Sequence, residues 1–450
     1  MEYKYSELAE WVKQKIDTGE YKTGEKLPSI QEMSALMSYN ADTVVKAYRQ
    51  LEAEHHVYVV PKSGFYVLKN KPTLKNGSLD MASMRPPDMI NPYKDYYHCL
   101  EKASALYQER LFEYAPAQGM PELVQALVKH LSNFHIFTRA ENVFVTSGAQ
   151  QALYILAAMP FAGGGTKVVV EQPTYSVMLD VLRFAGAPVV GVRRTAQGLD
   201  MEELAAIFAQ GDIKFFYTMP RYQNPTGFSF NESQKKAILQ LASRYGVYIV
   251  EDDYLADLET DGKADSLYAC GTQDLVIYIQ SFSKTLLPGL RLGMCVLPSQ
   301  LHASFLACKR SIDLATPVIT QAALEIFLKS RMYKHHVQRV KRYYRNKMAV
   351  LQSACRELPA VGAQWHIPAS GIYAYIESTG RPAGNLVRRL VQRGLLVSGV
   401  DDCYIPGFAH NGGLRLCVCN ANDAQLRTAV ALIEQELSTF RQGMPYARRT

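Results

Sequence analysis

The chain has 450 residues, of which 48% are hydrophobic and 20% charged, with 29 glycines and 21 prolines. Those are globular proportions on a length that one hydrophobic core seldom serves, so they exclude a disordered, collagen-like or coiled-coil protein and point to at least two domains. A net charge of +7 is too mild to establish a nucleic-acid partner by itself.

No apolar run approaches the ~18 residues of a spanning helix, so no membrane partner is expected. The opening MEYKYSELAEWVKQK has no apolar core, so no secretory signal is expected either. Eight cysteines lie scattered without a CxxC pair, which fits reduced thiols and a cytoplasmic location.

In YSELAEWVKQKIDTGEY, Leu8, Trp11, Val12 and Ile16 recur at helical spacing, and Gly19 suits a helix end. In LPSIQEMSALMSYN, Ser29 is placed to cap a second helix, Glu32 completes a capping box, and Met33, Leu36 and Met37 form an apolar stripe. A third helix, ADTVVKAYRQLEAE, starts near Asp42 and buries Val44, Val45, Tyr48 and Leu51. VYVVPKSGFYVLKN then gives two β-rich runs about a PKSG turn, a hairpin. Three helices and a hairpin make the winged helix-turn-helix order, in which the third helix enters the major groove and the wing touches the backbone.

The run LPSIQEMSALMSYNADTVVKAYRQLEAE with VPKSGFYV resembles the DNA-binding domain of GntR-type bacterial regulators, above all the MocR/GabR-like branch, over nearly all of residues 1–70. The resemblance implies double-stranded operator DNA as a partner. It places Ser29, Gln31, Thr43, Lys46, Tyr48 and Arg49 on or beside the reading helices, and Lys62, Ser63 and Gly64 at the wing tip. Gln31 stands where relatives carry arginine, and His55 or His56 where they often carry glycine. Residues 1–70 hold nine Lys/Arg and ten Asp/Glu, a net of −1, so phosphate contacts must come from locally placed cations such as Lys46, Arg49, Lys62 and Lys69. A winged helix used for protein contacts is the other reading of this head.

Residues 71–80, within the polar run LKNKPTLKNGSLD, are expected to form a linker to a second domain over 81–445, with a large lobe at about 110–325 and a small lobe from the remainder. From about residue 140, strand-like runs (ENVFVT, KVVVE, APVVGV, IKFFYT, VYIVED, DLVIYIQ) alternate with helical ones. That pattern predicts an α/β fold with a mostly parallel sheet, whose ligands sit beyond the carboxyl ends of the strands.

The unusual residues fall at those ends. Lys284 follows the strand VIYIQ, between Ser281 and Ser283 on one side and Arg291 on the other, a set suited to a phosphate beside a Schiff-base lysine. Asp252 ends a buried strand, where a carboxylate can keep a pyridinium protonated as an electron sink. Tyr254 and Asn224 can reach a phenolate-type oxygen, and Tyr175 can stack on a planar ring. Gly148, Ala149 and Gln150 open a helix whose free N–H groups form an anion site.

The series SGAQQ, PTY, QNPTG, EDDY and SFSKTLLPGLRLG resembles the fold type I aminotransferases that use pyridoxal 5'-phosphate (PLP), over about residues 80–440. The resemblance implies an internal aldimine at Lys284 and a ring-nitrogen partner in Asp252. It further implies phosphate contacts from Ala149, Gln150, Ser281, Ser283 and Arg291, and a substrate or effector carboxylate on Arg415. Tyr114 matches a tyrosine that reaches the neighbouring subunit's phosphate, which implies a homodimer. Met84 stands where relatives carry a glycine near the substrate, so its bulk is expected to narrow that side.

Both histidine pairs, His55–His56 and His335–His336, are expected at the surface rather than on a metal, and the basic run 335–347 reads as a solvated helix face. Cys417 and Cys419 should face one side of a strand, but two thiols do not make a zinc site. Two functional readings stand. One is a PLP-dependent regulator whose aminotransferase-like domain senses PLP or an amino-acid or amine effector. The other is a working aminotransferase with an appended winged helix.

Overall fold

The helical and strand periodicities of the chain are realised in two units, Met1–Ser78 and Leu79–Thr450, of a computed structural model. It describes residues 4–17, 20–21, 24–53, 56–60, 63–68, 78–262, 264–271, 274–357, 363–378 and 383–442.

In the first unit, α1 (Lys4–Asp17) buries Leu8, Ala9, Val12 and Ile16. Ser29 caps α2 (Ile30–Met37) through a capping box: its Oγ accepts from Glu32 N at 3.2 Å, and the Glu32 carboxylate accepts from Ser29 N at 2.7 Å. α3 (Ala41–Ala53) begins where the Asn40 side chain accepts from Thr43 N at 2.8 Å, and it buries Val44, Ala47, Tyr48 and Leu51. β1 (Val57–Val60) and β2 (Gly64–Val67) form the antiparallel wing, with Val57 opposite Val67 and Val60 opposite Gly64.

Two expectations change here. Leu36 is 62% exposed, because an eight-residue helix turns only Met33 fully inward and leaves Leu36 on its outer side. Tyr48 is not a DNA-facing residue. It is 0% exposed, its ring meets Phe65 edge-on at 5.1 Å, and its hydroxyl donates to Pro28 O at 2.9 Å. The helical period puts Tyr48 on the same inward face as Val44 and Leu51 and leaves Lys46 and Arg49 outside.

The second unit runs β3 (Leu79–Asp80), α4 (Tyr93–Tyr107), α5 (Pro121–Leu131), β4 (Val143–Thr146), α6 (Ala149–Ala158), β5 (Lys167–Gln172), α7 (Ser176–Phe184), β6 (Val189–Thr195), β7 (Gly198–Leu199), α8 (Met201–Ala209), β8 (Ile213–Thr218), α9 (Glu232–Tyr245), β9 (Tyr248–Asp252), α10 (Leu267–Cys270), β10 (Val276–Ser281) and β11 (Gly293–Val296). These strands make an eight-stranded sheet in the order β4-β11-β10-β9-β8-β5-β6-β7. β10, β9, β8, β5 and β6 are mutually parallel. β11 runs antiparallel to both neighbours, since the short link from β10 carries no crossover helix. Successive residues alternate between the two faces: Val168 and Val170 join one core with Phe215 and Tyr217, while Val169 joins the other with Phe216.

The chain continues through α11 (His302–Ile312), α12 (Val318–Lys329), α13 (Arg331–Arg356), β12 (Ala363–His366), β13 (Tyr373–Ser378), α14 (Ala383–Gln392), β14 (Leu395–Leu396), β15 (Ser398–Gly399), β16 (Gly413–Cys417) and α15 (Asp423–Gln442). Strands β12, β13, β16 and β15 form a second, antiparallel sheet, and β3 pairs with β14. On α13 the expected surface pair divides. His335 is exposed, but His336 is buried and its Nε2 bonds Thr285 O, because neighbours on a helix point about 100° apart. His55 lies outside the described residues.

Tyr48→Ala is expected to cost the winged unit about 3–5 kcal/mol, as a buried aromatic truncation does. Arg49→Ala should leave its stability nearly unchanged. Urea denaturation of the two variants checks the contrast, and equal losses would contradict the placement of Tyr48.

Candidate cofactor site

The carboxyl ends of the parallel strands open on a cavity of about 350 Å³. Its walls include Ala149, Gln150, Tyr175, Asn224, Asp252, Tyr254, Ser281, Ser283, Lys284 and Arg291, so ten residues singled out from sequence meet in one place.

One end is built for an anion. Gly148 (φ +79°) turns the chain from β4 into α6, and a Cβ there would lie 2.8 Å from Arg291 Nη2, so the position admits only glycine without displacement. Arg291 donates to Gln150 Oε1 at 3.1 Å and to Ser283 Oγ at 3.5 Å. Ser283 N in turn donates to Ser281 Oγ at 3.2 Å. A helix N-terminus, two hydroxyls and a guanidinium therefore converge. Asp313 steadies the junction, accepting from Ser147 Oγ at 3.1 Å and Gln151 Nε2 at 2.6 Å.

Elsewhere in the cavity Lys284 Nζ lies 3.5 Å from Met84 O. Burial pulls Lys284 below the usual lysine range; the thiols of Cys419 and Cys417 oppose the shift, and Arg415 and Arg291 add to it. A lysine so depressed offers more of its neutral, nucleophilic amine at neutral pH.

Asp252 closes β9. Its Oδ2 accepts from Tyr217 Oη at 2.9 Å, while Oδ1 is buried with no partner. Burial pushes the carboxyl up to about 7; the Tyr217 hydroxyl works against this, and Asp253 adds to it. Tyr175 caps α7 and receives a bond from Gln150 Nε2 at 3.4 Å. Tyr254 Oη donates to Tyr222 O at 2.6 Å, and Asn224 Oδ1 accepts from Arg415 Nη1 at 2.8 Å. Arg415 lies over the Tyr373 ring at 5.0 Å and keeps a buried Nε without a partner.

Residues 77–433 match the aminotransferase class I and II family, and residues 4–67 match the bacterial regulatory proteins of the gntR family. The chain is 38% identical to the HTH-type transcriptional regulator YcxD of Bacillus subtilis, across 96% of its own length and 100% of that protein. The chain belongs to the MocR/GabR-like family of GntR regulators. This regulator is also 28% identical to a 2-aminoadipate transaminase of Thermus thermophilus, over 76% of this chain and 85% of that one. The structure of LysN, the α-aminoadipate aminotransferase of the same organism complexed with N-(5'-phosphopyridoxyl)-L-leucine, superposes with a TM-score of 0.74 at 25% identity. That match covers 82% of this chain and 95% of that one.

The donor set of the regulator suits PLP: a buried carboxylate oxygen without a partner, an amine of lowered pKa and an anion cradle all open on one cavity. Not every candidate joins it. Tyr114 is 91% exposed and lies in a separate depression with Tyr107, Arg110 and Met120. Arg415 stands behind Asn224 rather than on the cavity wall. In the winged unit, Gln31, Lys46 and Arg49 are exposed, Thr43 and Gly64 are half-buried, and Ser63 Oγ shares a 2.6 Å bond with Tyr66 Oη. Ser29 is committed to its helix cap. Lys62 lies outside the described residues. Sequence reasoning passed over Tyr217 and Tyr373. Tyr217 pairs with Val250 and so shares the face of Asp252, a signal that needs the β8–β9 adjacency.

The raised Asp252 pKa has a signed consequence. The unfolded carboxyl titrates near ~3.9, so the cofactor-free fold loses stability as pH rises from ~4 to ~7, by at most ~4 kcal/mol. Asp252→Asn should therefore raise the cofactor-free unfolding temperature more at pH 8 than at pH 5, while weakening PLP retention. Thermal denaturation at the two pH values checks it, and an equal gain at both would contradict the assignment.

Proposed function

We propose that this chain is a PLP-dependent transcriptional regulator. Its winged unit binds double-stranded operator DNA, and its aminotransferase-like unit holds PLP on Lys284 and answers to PLP itself or to an amino-acid or amine effector. The observation that carries this reading is the partnerless Asp252 Oδ1 opening on the same cavity as Lys284 Nζ and the anion cradle.

When bound, PLP supplies an electron sink. The chain's own residues do the rest in this reading. Lys284 attaches the cofactor, and Asp252 keeps the ring nitrogen protonated. Tyr175 covers the ring, and Asn224 and Tyr254 face its hydroxyl. Gly148, Ala149, Gln150, Ser281, Ser283 and Arg291 hold the phosphate. Arg415 takes the effector carboxylate in a bidentate fork once Asn224 yields its bond.

The same reading makes the protein a homodimer in which Tyr114 completes the partner's site. Exposed Tyr97, Phe112, Tyr114 and Ile319 support it, since a second copy would cover them. A cytoplasmic location fits eight free cysteines, and no helix among the described residues is long and apolar enough to cross a membrane. An effector changes DNA binding only by preferring one of two states, and a ligand joined to Lys284 and clasped by Arg415 is a source of such preference.

A working aminotransferase is the second reading, favoured by the complete set of Lys284, Asp252 and Arg415 around one site. Sustained conversion of an amino donor at ~10 per second or more would support it, and a single half-turnover supports the regulator.

Lys284→Ala is expected to lose the visible absorbance of the lysine-bound cofactor after dialysis with its circular dichroism intact; a dialysed variant that stays yellow contradicts the assignment. A gel shift on the chain's own upstream region should be salt-sensitive and change with PLP. No shift on any upstream fragment would refute DNA binding there.

A further inference from the structure

The two groups that would meet an α-amino acid effector are Lys284, at the amine end, and Arg415, at the carboxylate end. A continuous chain of contacts spans the space between them. Lys284 Nζ lies 3.5 Å from Met84 O, the Tyr373 hydroxyl donates to Met84 Sδ, and the Arg415 guanidinium lies 5.0 Å over the Tyr373 ring. Met84 and Tyr373 are both walls of the cavity.

The backbone under Met84 is anchored. Asp80 Oδ1 accepts from Ala82 N and Ser83 N at 3.0 Å each. Met81 N donates to Leu396 O at 2.9 Å, and Cys417 N donates to Met81 O at 2.8 Å. Asn420 Nδ2 reaches Arg85 O at 3.2 Å. The segment is therefore stitched to the second sheet on both sides of Met84. Room for a ligand cannot come from swinging the backbone, only from rotating the thioether, which is pinned by Tyr373.

The volume points the same way. About 350 Å³ stands near the lower end of the ~300–1,000 Å³ typical of small-molecule sites, and the cofactor must occupy much of it. What remains beside Met84 admits an amino group, an α-carbon and a carboxylate, and little side chain.

We propose that Met84, held by Tyr373, is a specificity-determining plug that restricts the effector to α-amino acids with a small side chain or none. The inference rests on the cavity being the PLP site of the regulator. Methionine suits this role because its unbranched, flexible side chain fills irregular space and yields to a small ligand at modest cost, but cannot vacate the volume a branched or aromatic side chain needs.

The test is absorbance titration of the PLP-loaded full-length protein with glycine, alanine, leucine and phenylalanine, for wild type, Met84→Ala, Met84→Leu and Tyr373→Phe. Wild type should respond to glycine or alanine at far lower concentration than to leucine or phenylalanine. Met84→Ala should raise the leucine-to-alanine affinity ratio at least about tenfold, the scale at which pocket volume discriminates. Met84→Leu conserves volume and should keep the wild-type ranking. Tyr373→Phe, which frees the thioether without emptying the site, should move the ratio in the direction of Met84→Ala and decides the matter if Met84→Ala fails to load cofactor. A wild type that answers to no amino acid, with a Met84→Ala variant that does, also supports the plug.

Equal wild-type affinity for alanine and phenylalanine would overturn the proposal. So would an unchanged ranking in both Met84→Ala and Tyr373→Phe, or silence from every protein toward every amino acid. Failure of the underlying reading looks different: the wild type would then show no lysine-bound cofactor absorbance before any amino acid is added.

Discussion

The carboxylate of Asp252 is buried with one oxygen bonded to Tyr217 and the other facing no partner, and this imbalance organises the chemistry of the large unit. Its neighbour supplies the contrast. Asp253 is just as buried, yet Arg221 and Tyr278 satisfy both of its oxygens. An unsatisfied buried polar group costs about 1–3 kcal/mol, more when charged, and native folds keep few of them without a reason. A protonated ring nitrogen opposite Oδ1 would turn that cost into a charge-assisted hydrogen bond. The parallel sheet makes the arrangement possible, since β8, β9 and β10 deliver Tyr217, Asp252 and Ser281 to the same edge.

The winged unit follows different physics. Its fold rests on a small core around Leu8, Val12, Tyr48 and Leu51, and its grip on DNA must come from few cations, because residues 1–70 sum to −1 while the rest of the chain carries +8. Exposed Lys46 and Arg49 on α3 are the natural readers, and each lost phosphate contact would show as a shallower salt dependence. Regulation then needs an effector whose binding free energy differs between DNA-competent and incompetent states, and a site with an anchored wall and a single adjustable side chain at Met84 discriminates between ligands in that way.

Much of this was legible in sequence because the site motifs are local. Gly148, Asn224, Asp252 and Lys284 each follow a strand directly, so the end of the strand places them without knowledge of the fold. Tyr217 and Tyr373 escaped because their roles depend on which strands lie side by side and in what register, information carried by long-range packing. Helix faces were legible only to within one side chain: Tyr48 and Arg49 are adjacent in sequence, one sealed in the core and the other in water. Leu36 and His336 mark the same limit, since an apolar residue on a short helix can face out and an imidazole can be drawn inward by a carbonyl such as that of Thr285. The antiparallel β11 was hidden for another reason, the brevity of the loop that makes a crossover impossible.

The central claim is that Lys284, and no other lysine, carries PLP opposite Asp252. Borohydride reduction of the PLP-loaded protein followed by peptide mass mapping tests it most directly. The account predicts a reduced pyridoxyl group on the peptide bearing Lys284 at near-stoichiometric yield. Label spread over surface lysines, or none retained after reduction, would contradict it.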